Sequence, residues 1–220
     1  MNPTKIIPNR FLFKFELPIR RAAKPLKLEG DPTAWGPRFR LPRLCLLDGE
    51  VGFGDVYAGW HDSGLFVGCV VRGKARLPRC DAADFRKSDH LRVLTDMRDT
   101  RQIRRATRFC QAFYFMPTGG GAKNRDPVAA SAEIARAQDD APFVPPGKIP
   151  IAAGLHDDGY TLTAHLPREV LVGYDPVEHS RIGFVWMIED LELGHQSATV
   201  DDDLNWWMDP STWPTGVLAE

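Results

Sequence analysis

The chain has 220 residues, 43% hydrophobic and 26% charged, and its 28 Lys+Arg offset 29 Asp+Glu to a formal net charge of −1. Such a composition belongs to a globular chain and excludes an intrinsically disordered one, while the lack of any 18-residue apolar run excludes a helical membrane span. The length suits one all-β sandwich or barrel, so residues 1–220 are read as a single domain.

The opening "MNPTKIIPNRFLFKFELPIRR" lacks the long apolar core of a secretion signal, so a cytoplasmic location is the default expectation. Within it "FLFKFEL" reads as a first strand that stops at Pro18. "GDPTAWGPRFRLPRL" is rich in Pro and Gly and reads as irregular. "DVYAGWHDSGLFVGCVVRGK" (55–74) reads as strand, turn, strand, with His61-Asp62-Ser63-Gly64 as the turn. In its second strand Leu65, Val67 and Cys69 alternate with Phe66, Gly68 and Val70, and Trp60 covers the edge of the core. "SDHLRVLTDMRD" places Leu91, Val93, Thr95 and Met97 on one face and His90, Arg92, Leu94 and Asp96 on the other. "FCQAFYFMP" is an aromatic strand.

Residues 117–148 then read as a long connection. Inside it "DPVAASAEIARAQ" predicts a short helix, with Asp126 as N-cap and Pro127 in the first turn. Asp157-Asp158-Gly159 predicts a tight turn joining "KIPIAAGLH" to "YTLTAHLP". "RIGFVWMIEDLEL" predicts a mostly buried strand with Trp186 in the core. Many short strands with turn punctuation and one helix predict an all-β, antiparallel, jelly-roll-like sandwich.

Charge is uneven along the chain: residues 139–220 hold 3 Lys+Arg against 15 Asp+Glu. Pairing of distant strands would neutralise this, and no continuous like-charge run implies a nucleic-acid partner. Cys45, Cys69, Cys80 and Cys110 lack metal-site spacing and read as free thiols, Cys69 and Cys110 buried in strands, with a disulfide the alternative in an oxidising compartment. "TGGGAK" (118–123) lacks phosphate-loop spacing. Asp89, Asp96, Glu189 and Asp190 are the residue type a glycosidase pair requires, but spacing assigns no pair among them. Asp201, Asp202 and Asp203 read either as a solvated turn or as ligands for a hard cation such as calcium.

The aromatic residues say more. Trp206 and Trp207 are adjacent, so on an extended segment they face opposite ways and one is the more exposed. An indole beside carboxylates, amides and arginine can stack on a sugar face while the polar rim takes its hydroxyls. The candidate contacts are Trp206, Trp207, Trp60, Arg92 and Gln111.

In this order, "DVYAGWHDSGLFVGCVV", "SDHLRVLTDMRDT", "FCQAFYFMP", "DGYTLTAHLPREVL", "RIGFVWMIEDLE" and "DPSTWP" resemble the family-9 carbohydrate-binding modules and the wider DOMON-like β-sandwiches. Ser88–Asp96 stands where that family carries a "gDsvEvfiD" strand, although His90-Leu91-Arg92 departs from its acidic and apolar pattern. The resemblance spans roughly residues 45–215. It implies a saccharide partner, no catalytic activity, no organic cofactor, and calcium as a structural ion. Two other functions fit the same sandwich. One is a structural or protein-interaction domain that has lost its ligand. The other is a haem electron-transfer domain with axial ligands drawn from Met97, Met116, Met187, His90 and His165.

Overall fold

The computed structural model describes Arg10, residues 13–199 and residues 204–220. Its strands are β1 (Glu16–Arg21), β2 (Gly54–His61), β3 (Gly64–Arg72), β4 (His90–Asp96), β5 (Cys110–Gly120), β6 (Asp126–Ala132), β7 (Ile151–His156), β8 (Gly159–Pro167), β9 (Arg181–Asp190), β10 (Gly194–Ser197) and β11 (Thr215–Ala219). They hydrogen-bond in the order β6-β5-β4-β9-β11-β1-β2-β3-β8-β7, with β10 beside the second half of β9. This sheet folds over so that β5 and β6 face β7 and β8, which makes a β-sandwich. Among the described residues the helical turns are short 3-10 segments, and no helix is long and apolar enough to cross a membrane.

Alternation decides what lies between the layers. Leu91 and Val93 of β4, Phe113 and Phe115 of β5, Leu65, Val67 and Cys69 of β3, and Leu162 and Leu166 of β8 fill the interior. Trp186 joins them, as its place in an apolar strand predicts. The outer faces are covered as well. Residues 22–39, which take in the first part of the Pro-rich stretch, cover β2 and β3 with 3-10 turns at Pro32–Trp35 and Pro37–Phe39, and set Trp35 edge-on against Phe66 at 6.4 Å. That second layer is why Phe66 and Val70 are buried too, leaving β3 apolar on both sides.

Both expected hairpins form, β2–β3 across Asp62-Ser63 and β7–β8 across Asp157-Asp158. Glycine stands at each end of the β3–β8 ladder, where Gly64 pairs with Pro167 and Gly159 with Arg72. Gly64 has φ +136°, and a Cβ there would lie 2.0 Å from the Leu166 carbonyl oxygen. Backbone cannot step aside as a side-chain tip can. Gly64→Ala is therefore expected to cost at least about 3 kcal/mol in thermal unfolding, combining strained φ with overlap.

Two expectations are corrected. The helix over 126–138 is absent: Asp126–Ala132 is β6, paired antiparallel with Ala112–Gly120 of β5. Its alanines are small because Phe113, Tyr114 and Phe115 opposite them already fill the space, so cross-strand packing overrides helix propensity. The first strand does not end at Pro18 but runs from Glu16 to Arg21 through it. β2 pairs with β1 only at Arg20 and Arg21, so one side of Pro18 carries no ladder. The other side of β1 lies parallel to β11, from Glu16 opposite Thr215 to Arg20 opposite Ala219.

At the other margin of β9, the Gln196 carboxamide replaces a strand partner. Its Oε1 accepts from the Gly54 amide and its Nε2 donates to the Gly54 carbonyl, both at 2.9 Å. This pins β10 to the start of β2 where the two layers diverge.

Candidate functional site

The outer face of β4–β5–β6 is not fully covered, and a groove of about 780 Å³ lies over it. β4 and β5 bring Arg92 and Tyr114 together as a cross-strand pair on this face. A 3-10 turn at Phe85–Lys87, capped by the Asp84 carboxylate on the Arg86 amide, lays the Phe85 ring on Tyr114. The two rings are stacked, with centroids 4.6 Å apart and planes 11° from parallel. Burial raises the Tyr114 hydroxyl above the ordinary tyrosine value, so it stays protonated.

The Arg92 guanidinium lies 4.9 Å from the Phe85 ring and 5.4 Å from the Trp206 ring, with Glu189 Oε1 3.6 Å from its Nη2. Arg92 thus lies between Phe85, which lines the groove, and Trp206, which is buried behind it. Trp206 is 1% exposed and meets Trp207 edge-on at 6.4 Å. Trp207, the half-buried member of the pair, lines the groove; the segment is a hydrogen-bonded turn and not extended, with the Met208 and Asp209 amides donating to the Asn205 carbonyl, so the different exposure of the two rings comes from the turn and not from strand alternation. Their segment is held by Trp213 Nε1, which donates to the Trp206 carbonyl at 2.6 Å, and by a left-handed Asn205 (φ +51°). The far rim is the 133–143 loop, tied down where Arg105 donates to the carbonyls of Arg136 and Ala137. Phe143 stands there 64% exposed.

Of the sequence-derived candidates the groove gathers Trp207 and Arg92, with Trp206 behind them. Trp60 lies elsewhere and is 6% exposed: its Nε1 donates to the Ala219 carbonyl at 3.0 Å and Arg21 covers its ring at 5.1 Å. That geometry locks β11 and leaves no ring face for a ligand. Gln111 is 2% exposed and anchors a loop, its Nε2 donating to the Val170 carbonyl and its Oε1 accepting from the Val172 amide. Asp201, Asp202 and Asp203 lie outside the described residues.

Phe85 and Tyr114 were not visible as site residues. Phe85 sits in a charged turn without strand periodicity, and Tyr114 reads as one more core aromatic. The one local signal was Asp84-Phe85-Arg86, a capped turn that exposes an aromatic ring beside charge.

The carboxylates weighed for hydrolysis are engaged. Asp89 and Asp190 both contact Lys74 Nζ, at 3.1 and 2.6 Å, and all three side chains are buried. The metal-ligand candidates for haem are dispersed. Met116 packs outside β5 with Tyr114 and Val128, Met97 and Met187 lie in the main core, and His165 stacks on Phe66 at 4.3 Å.

His90 lies edge-on under Phe85 at 5.4 Å. Burial holds its pKa down to about 4; the Ser88 carbonyl on Nδ1 opposes the shift and the Arg92 charge assists it. The folded state therefore binds His90's proton less readily than the unfolded chain. The stability this contributes is complete above about 6.5 and lost as pH falls toward 4, amounting to roughly 3 kcal/mol at the limit. A His90→Asn variant is expected to show a shallower fall in Tm between pH 6.5 and 4. An unchanged slope would assign the acid sensitivity to other groups.

No protein-family model matches the chain, and no curated protein does. Among solved structures it is similar to a family-9 carbohydrate-binding module from Caldicellulosiruptor kristjanssonii in complex with cellotriose, with TM-score 0.62 and 15% identity over 93% of this chain and 94% of that one. The same module in complex with glucose aligns with TM-score 0.60 and 15% identity, covering 93% and 95%. The chain has the family-9 carbohydrate-binding-module fold.

Proposed function

We propose that the chain is a non-catalytic saccharide-binding module whose site is the groove over β4–β5–β6. The observation that carries this is a groove lined by Phe85, Tyr114 and Trp207, with the Arg92 guanidinium set between the Phe85 ring and the Trp206 ring behind Trp207. A pyranose ring presents a face of C–H groups to an aromatic ring and a rim of hydroxyls to its sides. The groove supplies both partners: aromatic walls, and the charged groups of Arg86, Arg136, Glu133 and Asp140 around them. The likeness to modules solved with cellotriose and glucose supports the reading.

The reading as non-catalytic is supported by the four candidate carboxylates all being engaged: Asp89 and Asp190 are buried around the Lys74 ammonium, Asp96 accepts from the Arg98 and Thr100 amides, and Glu189 lies beside Arg92. Titration of the intact chain against a panel of cello-, xylo- and chito-oligosaccharides, followed by tryptophan fluorescence and calorimetry, tests the proposal. Saturable binding that quenches Trp207 is expected. No heat and no quenching with any glycan at millimolar concentration would refute it.

A further inference from the structure

The hydrogen-bonded order ends on β6 at one side and on β7 at the other, and these two end strands are finished differently. The β6 edge is occupied. The Ser131 amide donates to the Val144 carbonyl at 3.0 Å, and the Val144 amide donates to Ser131 Oγ at 2.7 Å. Pro127, in step with Ser131 along the strand, has no N–H to present.

β7 has neither device. Its hairpin with β8 closes on a two-residue turn, so His156 and Gly159 form a hydrogen-bonded pair. Alternation then makes Gly154–Thr161 and Ala152–Thr163 the next such pairs. The bond from the His165 amide to the Pro150 carbonyl, at 3.0 Å, falls in the same phase. Ile151, Ala153 and Leu155 therefore turn their N–H and C=O groups away from β8. None of those groups meets a partner among the described residues. The Gly30 amide donates to Oγ1 of Thr163, which alternates with the core residues Leu162 and Ala164, so the segment at Gly30 lies over the outer face and not along the edge. Ile151–His156 holds no lysine, proline or carboxylate, the usual guards of a bare edge.

The edge is also complementary to itself. Antiparallel pairing with a second copy, centred on Ala153, sets Ala153 opposite Ala153 and Ile151 opposite Leu155, and each of these residues both donates and accepts. Ile151 and Ala153 pack on the core, whereas Leu155, in step with them, is 45% exposed. Ile151 of the second copy would cover it. Pro150 falls opposite His156, in the phase that needs no outward N–H. The same register brings Lys148 to Asp158 and its neighbour Asp157. All three are exposed and in no ion pair among the described residues, so opposite charges meet at both ends of the pairing.

We infer that β7 is a self-association surface, joining two copies edge to edge through antiparallel β7–β7 pairing. The two-fold axis stands perpendicular to the sheet, so equivalent faces of the two copies point the same way. Both β4–β5–β6 grooves, in the opposite layer, then open on one side and can hold one extended polymer at two points. The pairing itself does not depend on what the grooves bind.

The test is sedimentation velocity of the intact chain from micromolar to millimolar concentration, with amide hydrogen exchange followed by NMR. A reversible monomer–dimer equilibrium is expected, with exchange at Ile151, Ala153 and Leu155 slowed in the dimer. Leu155→Lys, which sets a guarding charge on the edge, should weaken dimerisation at least about tenfold. Lys148→Glu should weaken it about tenfold at low salt, and adding Asp158→Lys to that variant should recover most of the loss. Should Leu155→Lys fail to fold, the exposed charge variants decide alone. A monomer at every concentration overturns the inference. So does a dimer in which the three amides exchange freely, or one that no folded variant weakens. Each of these outcomes leaves the saccharide groove standing, and failure of every glycan to bind leaves the pairing standing.

Discussion

Lys74→Ala is expected to lower unfolding free energy by about 3–5 kcal/mol, the cost of leaving buried carboxylates without their counter-charge. Lys74 Nζ lies 2.6 and 2.7 Å from the two Asp190 oxygens, 3.1 Å from Asp89 and 3.7 Å from Glu192. Backbone amides hold these acids in place: Glu192 and Leu193 donate to Asp190, Arg79 and Leu191 to Asp89, and Ala75 and Arg76 to Glu192. The carboxylates cannot swing to water when the ammonium is removed. The cluster joins the end of β3 to β4 and to the β9–β10 turn, so its loss acts on both layers.

Burial pulls the Lys74 pKa down, but the hydrogen bond and charge of Asp190 and of Asp89 outweigh it, and the net shift is upward. Its contribution is therefore complete below the free-lysine value of 10.5 and lost as pH rises through the higher folded value. Urea midpoints of the wild type and of Lys74→Ala at neutral pH check the magnitude. A difference under about 1 kcal/mol would show that the pair's desolvation cancels its attraction.

Trp207→Ala and Phe85→Ala are each expected to weaken saccharide binding at least tenfold, about 1.4 kcal/mol. Trp207 packs edge-on against Trp206 and on the core, and Phe85 covers His90 and Tyr114, so both variants should stay folded with some loss of stability. Trp60→Phe supplies the contrast. It breaks the hydrogen bond to Ala219 and should lower Tm without changing affinity. Loss of binding in Trp60→Phe with retention in Trp207→Ala would move the site to the far side of the sandwich.

Much of the frame was legible because strand period and turn chemistry are local. Asp62-Ser63-Gly64 and Asp157-Asp158-Gly159 announced both hairpins, and β4 showed its two faces residue by residue. β6 was not legible, because "DPVAASA" carries helix-forming alanines whose strand state is decided by the aromatic residues of β5 across the ladder. The groove was half legible. Trp207 and Arg92 stood out by residue type and company. That Phe85 joins them depends on how the 80–88 segment covers one outer face partially while residues 22–39 cover the other more fully. Alternation says that a strand has two faces; it does not say which of them a loop leaves open.

The parallel pairing of β1 with β11 has a mechanical consequence. Because the two strands run in the same direction, tension drawn from before Glu16 and beyond Ala219 slides one along the other. The rungs from Glu16–Thr215 to Arg20–Ala219 then carry load together, in shear, and must fail together instead of peeling apart one by one. Forced unfolding is governed by the height of that barrier and not by overall stability. A domain with its first and last strands laid this way resists being drawn out along its own chain.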